Sequence, residues 1–375
     1  MATQTRSAEI LTPPVPASPS RLYSLDVYRG LTMIWMFANG FGLQYFRKDA
    51  LLAPVAAQFT HADWEGMTPW DLIQPFFMFI VGVAMPFAFA ARFARGDETG
   101  TGWARVLRRS VLLILLGTLA RSIQRGGPNL DLINVLGQIA FTYVFAYAVL
   151  NRGWRVQAGA AAALLLVHTA LYTMIHPAGV TDSWVRGANF GSSLDIQVLG
   201  KNWGGGYATI NFLSSGANTI FGVMAGWVLI DKLRSPGEKI RTLALWGAAG
   251  VAGGLLLWTG IPLIKKIWTA SFAIYSAGFS LLALAFFYWL LDARGGRSAQ
   301  QPAWSRVAAM VGANSIFIYL FHETLYGFVL RAGRSVLGAS DAGNALAWLL
   351  YEWAFIAIEI AVCYWMYQRK IFLRV

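Results

Sequence analysis

The stretch His61-Ala62-Asp63-Trp64-Glu65-Gly66-Met67-Thr68-Pro69-Trp70-Asp71-Leu72-Ile73-Gln74-Pro75-Phe76-Phe77-Met78-Phe79-Ile80-Val81-Gly82 runs from a polar, histidine-bearing loop straight into an apolar helix of membrane length. Thr68 suits the N-cap of that helix and Pro69 its first position. Asp71 stands where a capping box puts its acid, although Glu or Gln is the usual choice. From Pro69 to Ala91 only Asp71 and Gln74 are clearly polar. At about 1.5 Å per residue that run covers roughly 34 Å, enough to cross a bilayer. A helix N-terminus at a membrane surface can hold a neutral imidazole together with an incoming polar group.

Outward from this stretch the rest of the chain is of the same kind. Hydrophobic residues make up 57% of the 375, charged residues only 13%, and mean hydropathy is +0.51. Soluble domains carry about a quarter charged residues, so this composition points to an integral membrane protein of the helical class. The expected fold is all-α: a polytopic transmembrane bundle of about ten or eleven helices, with residues 21–375 as one domain. Spans are expected near 27–46, 69–91, 107–123, 133–150, 155–175, 207–230, 242–260, 268–291, 307–325 and 344–367. Thr324–Leu330 either extends the ninth helix or begins another. Residues 1–20, with Pro13, Pro14, Pro16 and Pro19 and no apolar core, read as a disordered tail without a cleavable signal.

The net charge of +12 is not a nucleic-acid signal, because the basic residues lie in loops between apolar runs. Of the 30 Lys and Arg, 19 fall on one side of the expected topology and 10 on the other, with Arg29 inside the first helix. The positive-inside rule then puts both termini in the cytoplasm and His61 on the opposite side. The lone Cys363 excludes an intrachain disulfide and a cysteine-rich metal centre. No metal is expected: His61, Asp63 and Glu65 lack a second histidine nearby. The sequence also has no phosphate-binding glycine loop, G-x-S-x-G elbow or zinc-protease helix.

Polar side chains in hydrocarbon are costly unless paired or facing a cavity, which makes each one a candidate. Asp26 and Arg29 are either an ion pair at the first helix start or part of a site. Asn39 lies at the depth His61 reaches if its loop folds inward. Asn134 and Gln138 share a helix face. Asn211 and Asn218 stand one heptad apart, followed by Gly222 and Gly226, whose spacing permits close helix contact. Asn314, His322 and Glu323 belong to the ninth helix, where His322 and Glu323 point apart. His168 reads as a helix-to-helix hydrogen bond and His176 as interfacial. The long loop from His176 to Gly206, with Trp184 and Trp203 among Gly, Ser, Asp and Asn, suits either a sugar face or a membrane interface.

Several of these residues fall in runs that resemble a known family. Ser24-Leu25-Asp26-Val27-Tyr28-Arg29-Gly30-Leu31, Asn39, and His61-Ala62-x-Trp64-x-Gly66-x-Thr68-x-x-Asp71-Leu72 with Pro75-Phe76-Phe77 closely resemble the heparan-α-glucosaminide N-acetyltransferase family. The likeness continues through Val135-Leu136-Gly137-Gln138, Gly216-Ala217-Asn218, Lys266-x-Trp268-Thr269, Gly312-Ala313-Asn314-Ser315 and His322-Glu323. The resemblance implies a transmembrane enzyme of the cytoplasmic membrane of a prokaryote, moving an acetyl group from cytosolic acetyl-CoA to an amino sugar or glycan on the far side. It maps the active-site histidine onto His61 and a helix-borne asparagine onto Asn39. One departure is Glu65, where the family often has Asn.

On this reading His61 is a general base or an acetyl carrier, Asp71 orients it, and Asn39 and Asn314 are oxyanion donors. Trp64, Glu65, Gln138, Asn218, Asn314 and His322 are candidates for acceptor contact. Arg105, Arg108, Arg109 and Arg29 are candidates for the CoA phosphates, although positive-inside topology alone also accounts for such arginines. The expected partners are acetyl-CoA, the acceptor, the bilayer and a second copy of the chain as a homodimer. Two other classes remain open: a transporter or flippase without covalent chemistry, and an O-acyltransferase acting on a surface polysaccharide or lipid.

Overall fold

The computed structural model describes residues 22–94, 102–294, 301–338 and 344–373. The expected tail at 1–20 and Arg21, Arg95, Arg297 and Arg374 of the charge count lie outside the described residues. The described residues form thirteen α-helices and no named strand. They are α1 (Tyr23–Phe37), α2 (Ala53–Gln58), α3 (Ile73–Phe93), α4 (Trp103–Arg125), α5 (Val135–Val149), α6 (Trp154–Met174) and α7 (Phe190–Leu199). After them come α8 (Phe212–Ile230), α9 (Pro236–Trp258), α10 (Ala270–Tyr288), α11 (Ala303–Ala313), α12 (Ser315–Leu337) and α13 (Ala345–Gln368). The molecule is an all-α polytopic bundle.

Every expected span overlaps a helix, but fewer are long and apolar enough to cross a bilayer alone. Six described helices qualify by length and composition, and the bent pair α11–α12 makes seven if counted as one span. The helices α1 and α5 have 15 residues each, about 22 Å of helix, which is short of a hydrocarbon core. Arginines at 105, 108, 109, 121 and 125 lower the mean hydropathy of α4.

Two boundaries differ from the sequence reading for physical reasons. The first helix stops at Phe37 rather than running to 46. Asn39, Gly40, Phe41 and Gly42 all have positive φ, which reverses the chain into a short 3-10 segment ending at Phe46. The ninth helix breaks at Asn314, not near Thr324, and its two halves meet at 78°. There the Asn314 amide donates to Ile371 O at 3.1 Å and its oxygen accepts from Leu373 N at 3.3 Å, so the C-terminal segment holds the bend.

The centre of the bundle is α3 against α8, where a Cβ on Gly82 or Gly222 would run into the partner backbone at Thr219 or Phe79. The expected close contact at Gly222 and Gly226 is therefore real: Gly226 faces Val83 and Pro86. Helices α6 and α9 are peripheral and expose large apolar side chains such as Leu166 and Leu256, as a lipid-facing surface does. His168 lies buried against Tyr172, ring centroids 4.7 Å apart, and the polar group its ring meets is the backbone of Ile267 in the loop before α10 rather than a side chain of a neighbouring helix. The loop after His176 is folded: it contains α7, Asp195 accepts from Thr209 N at 2.8 Å, and Trp184 stacks on Tyr172.

Candidate active site

Asp71 is the anchor of the site. It is fully buried at the third position of the helical turn Pro69–Leu72. The expected capping box forms, with Thr68 N donating to Asp71 Oδ2 at 3.0 Å, and Ala62 N donates to the same oxygen at 3.1 Å. Thr68 Oγ1 donates to Thr60 O at 2.7 Å, so both ends of the loop are tied to the helix start. This leaves Asp71 Oδ1 for His61, whose Nδ1 lies 2.8 Å away. A carboxylate can only accept here, so Nδ1 carries the proton and Nε2 keeps its lone pair.

Lys265 completes the cluster, and its role was not read from the sequence. Its Nζ is 3.2 Å from Asp71 Oδ1, 2.9 Å from His61 Nδ1 and 3.5 Å from Nε2. Because Nδ1 donates to Asp71, the ammonium donates to the carboxylate and acts on the ring as a neighbouring charge. Burial first, and the Lys265 charge second, push His61 below its ordinary pKa, while Asp71 pulls the other way. Burial also lowers Lys265, opposed by Asp71. The loop carrying Lys265 is pinned to the His61 loop: Gly66 N donates to Leu263 O at 2.8 Å, and Lys266 Nζ donates to Asp63 O. A lysine pair 204 residues away reads in sequence as topology charge. Its signal was the adjacency of two cations to a helix start inside an otherwise apolar stretch.

His61 keeps 41% of its side-chain surface open, and that surface faces a cavity of about 350 Å³ rather than packed protein. Lys265, Asn39, Arg121, His322 and Glu323 also line it. Arg121 reaches Glu323 at 2.9 Å and Asp131 at 3.7 Å. Asn39 donates its amide to the Tyr326 hydroxyl, which in turn donates to Glu352 at 2.7 Å. Glu352 and Glu359, one heptad apart and buried in α13, also escaped the sequence reading. Two acids on one face of an apolar helix were the signal available.

A second cavity, about 580 Å³, opens against the first across Val135 and Tyr319, which line both. Its wall is mostly apolar and includes Arg29 and Arg109. The expected Asp26–Arg29 ion pair forms at 3.8 Å, and the Arg109 guanidinium lies 4.7 Å over the Tyr143 ring. The start of α1 and the C-terminal residues Phe372 and Leu373 meet at this cavity.

Other candidates stand apart from the cluster. Arg105 and Arg108 lie on the exposed side of α4, outside the lining of either cavity. Gln138 donates to Leu132 O and Thr209 O, both at 3.0 Å. Asn218 donates to Ala273 O and accepts from Trp268 Nε1, also at 3.0 Å. Both amides brace helices and line neither cavity, and the Asn314 amide is committed to the C-terminal segment. Trp64 and Glu65 sit on the rim: Trp64 Nε1 donates to Trp184 O at 3.0 Å, and Glu65 accepts from Trp258 Nε1 at 2.7 Å. His322 and Glu323 take separate partners, as their helical spacing required.

The fold and site together define a polytopic helical membrane protein with a histidine–aspartate–lysine cluster on a polar cavity. Over 104 residues the chain is 34% identical to heparan-alpha-glucosaminide N-acetyltransferase of Homo sapiens and 31% identical to the protein of that name from Mus musculus. The matched stretch is 28% of this chain and 14% of either relative. No family model matches the chain.

Proposed function

We propose that this protein is a membrane acetyltransferase that moves an acetyl group from cytosolic acetyl-CoA to the amine of an amino sugar or glycan across the membrane. The observation that carries the reading is His61 in the lining of a cavity with its Nδ1 held on Asp71. Partial similarity to two N-acetyltransferases supports the class. The charge count supports cytoplasmic termini, and on that orientation the second cavity is the one on the donor side.

In the direct route the acceptor nitrogen attacks the thioester carbonyl carbon while His61 Nε2 takes its proton. The C–S bond then breaks, and the imidazolium returns that proton to the leaving sulfur. In the covalent route the Nε2 lone pair attacks first and the C–S bond breaks to release a thiolate; the amine then takes the acetyl group from the ring, and the proton it sheds goes to the thiolate. Lys265 keeps the imidazole neutral before either attack. Asn39 is the amide nearest in role to an oxyanion donor, held by Tyr326. Arg29 and Arg109 offer cations to the phosphates of the donor, and the apolar wall between them suits its aliphatic arm.

Two abutting cavities are also what a transporter presents, and that geometry keeps the transporter reading as the competitor. Purified protein incubated with labelled acetyl-CoA and a panel of amino sugars separates the two. Transfer of label to an amine supports the enzyme; uptake of unmodified sugar without acetyl-CoA turnover supports the transporter. Product stable to mild base is an amide, and product lost in base is the ester of an O-acyltransferase.

A further inference from the structure

The cavity holds a second histidine built like the first, and the scheme above leaves it without a role. His322 extends from α12 with Nδ1 2.9 Å from Glu359 Oε1 on α13. Its ring stacks on Tyr326, centroids 4.7 Å apart and planes 20° apart, so the orientation is fixed. Glu359 has no exposed surface, and its other oxygen is buried without a hydrogen-bond partner. With Glu359 ionised, its carboxylate accepts a hydrogen bond from Nδ1–H, as Asp71 does at His61, and Nε2 keeps its lone pair. The other ionisable groups around this ring are already engaged. Glu352 of α13 accepts from Tyr326 at 2.7 Å and Tyr45 at 2.9 Å, and Glu323 pairs with Arg121 of α4 at 2.9 Å.

Proton balance supplies the task. An amino sugar arrives as an ammonium ion, and its nitrogen sheds two protons on the way to an amide. An ammonium ion plus an acetyl thioester gives amide, thiol and one free proton. His61 carries one of the two protons to the leaving sulfur, and the other still needs an acceptor. We infer that His322, oriented by Glu359, takes this first proton from the bound ammonium. An N–H bond of the ammonium breaks, Nε2–H forms, and the freed electron pair on nitrogen attacks the carbonyl carbon. His322 then releases the proton to water at the cavity mouth. The inference rests on the acetyltransferase reading. It makes Glu359 a positioning residue.

The test compares wild type, His322→Asn and Glu359→Gln across pH with two acceptors. One is glucosamine; the other is methoxyamine, a weak base that is already neutral at the assay pH. With glucosamine on the acidic side, His322→Asn should lose about 10²-fold in kcat/KM, the scale of one acid–base group. The loss should shrink as pH rises and the acceptor deprotonates in water. With methoxyamine the loss should stay within about threefold, because no ammonium proton needs removal. Glu359→Gln should repeat the pattern at smaller amplitude, and it carries the test if His322→Asn does not fold. Equal losses on both acceptors at every pH, or no loss on either, overturn the inference while wild-type activity keeps the acetyltransferase reading. A wild type that acetylates no amine overturns both.

Discussion

The cavity at His61 and the cavity at Arg29 are built from different kinds of backbone. The first draws most of its polar groups from places where regular structure fails, the positive-φ run after α1, the capped start of α3 and the loop before α10, and meets them with side chains from inside α4 and α12. The second lies mainly between helix faces of α1, α3, α4 and α5, with the bend between α11 and α12 and the C-terminal residues Phe372 and Leu373 closing one side. Broken backbone lets polar groups from distant positions converge on one point, and regular helices supply a smooth apolar wall. Under the proposed function the first region carries the chemistry and the second binds the donor. Each prediction below presses on that division.

The largest effect is expected at His61. His61→Ala should lower acetyl transfer by about 10²- to 10⁴-fold, the range of a lost general base, with acetyl-CoA affinity nearly unchanged. Asp71→Asn should follow at about 10³-fold, because an amide no longer fixes the Nδ1–H tautomer. It should also lower thermal stability, since Asp71 accepts from Thr68 N and Ala62 N as well. A variant whose kcat survives while only Tm falls would reduce Asp71 to a cap. Arg109→Ala and Arg29→Ala act on the other cavity. Each should raise KM for acetyl-CoA by about tenfold with a smaller change in kcat, and the effect should weaken in high salt. A pure kcat effect would break the division between cavities.

A pH profile sharpens the first region further. A base works unprotonated, so the rate climbs as pH rises through the His61 pKa. Lys265→Met removes a cation that lowers that pKa. The acidic limb should therefore move to higher pH, by on the order of one unit, with slower transfer along it. A limb that moves to lower pH would contradict the electrostatic role. The smallest effect is expected at Glu65→Asn, the residue common in the family that the chain resembles. Its carboxylate accepts from Trp258 on the rim and lines neither cavity, so kcat/KM should change by about threefold at most.

Local features of the site were legible and distant ones were not. Thr68, Pro69 and Asp71 declare a helix start within four residues, and the apolar run behind them declares a span. The end of α1 was written in Gly40 and Gly42 but masked by the apolar residues around them. The bend at Asn314 had only Gly312 beside it and no Pro, and the C-terminal residues Ile371 and Leu373 that hold it are remote in sequence. Lys265 reaches His61 across 204 positions, a distance no spacing pattern encodes. Among the arginines of α4, the chain alone did not tell Arg109, which turns inward, from Arg105 and Arg108, which face out. Polar residues in an apolar helix were rightly singled out as expensive. Gln138, Asn218 and Asn314 met that cost by holding backbone carbonyls, and His322 met it in the cavity.

The account turns on a donor that enters from one end of the bundle and reacts at the other, across Val135 and Tyr319. Sealed proteoliposomes selected for one orientation test this most directly, with labelled acetyl-CoA on the side of Arg29 and glucosamine only on the side of His61. The account predicts labelled N-acetylglucosamine on the glucosamine side, lost with His61→Ala. Label transferred only when donor and acceptor share a compartment would contradict it.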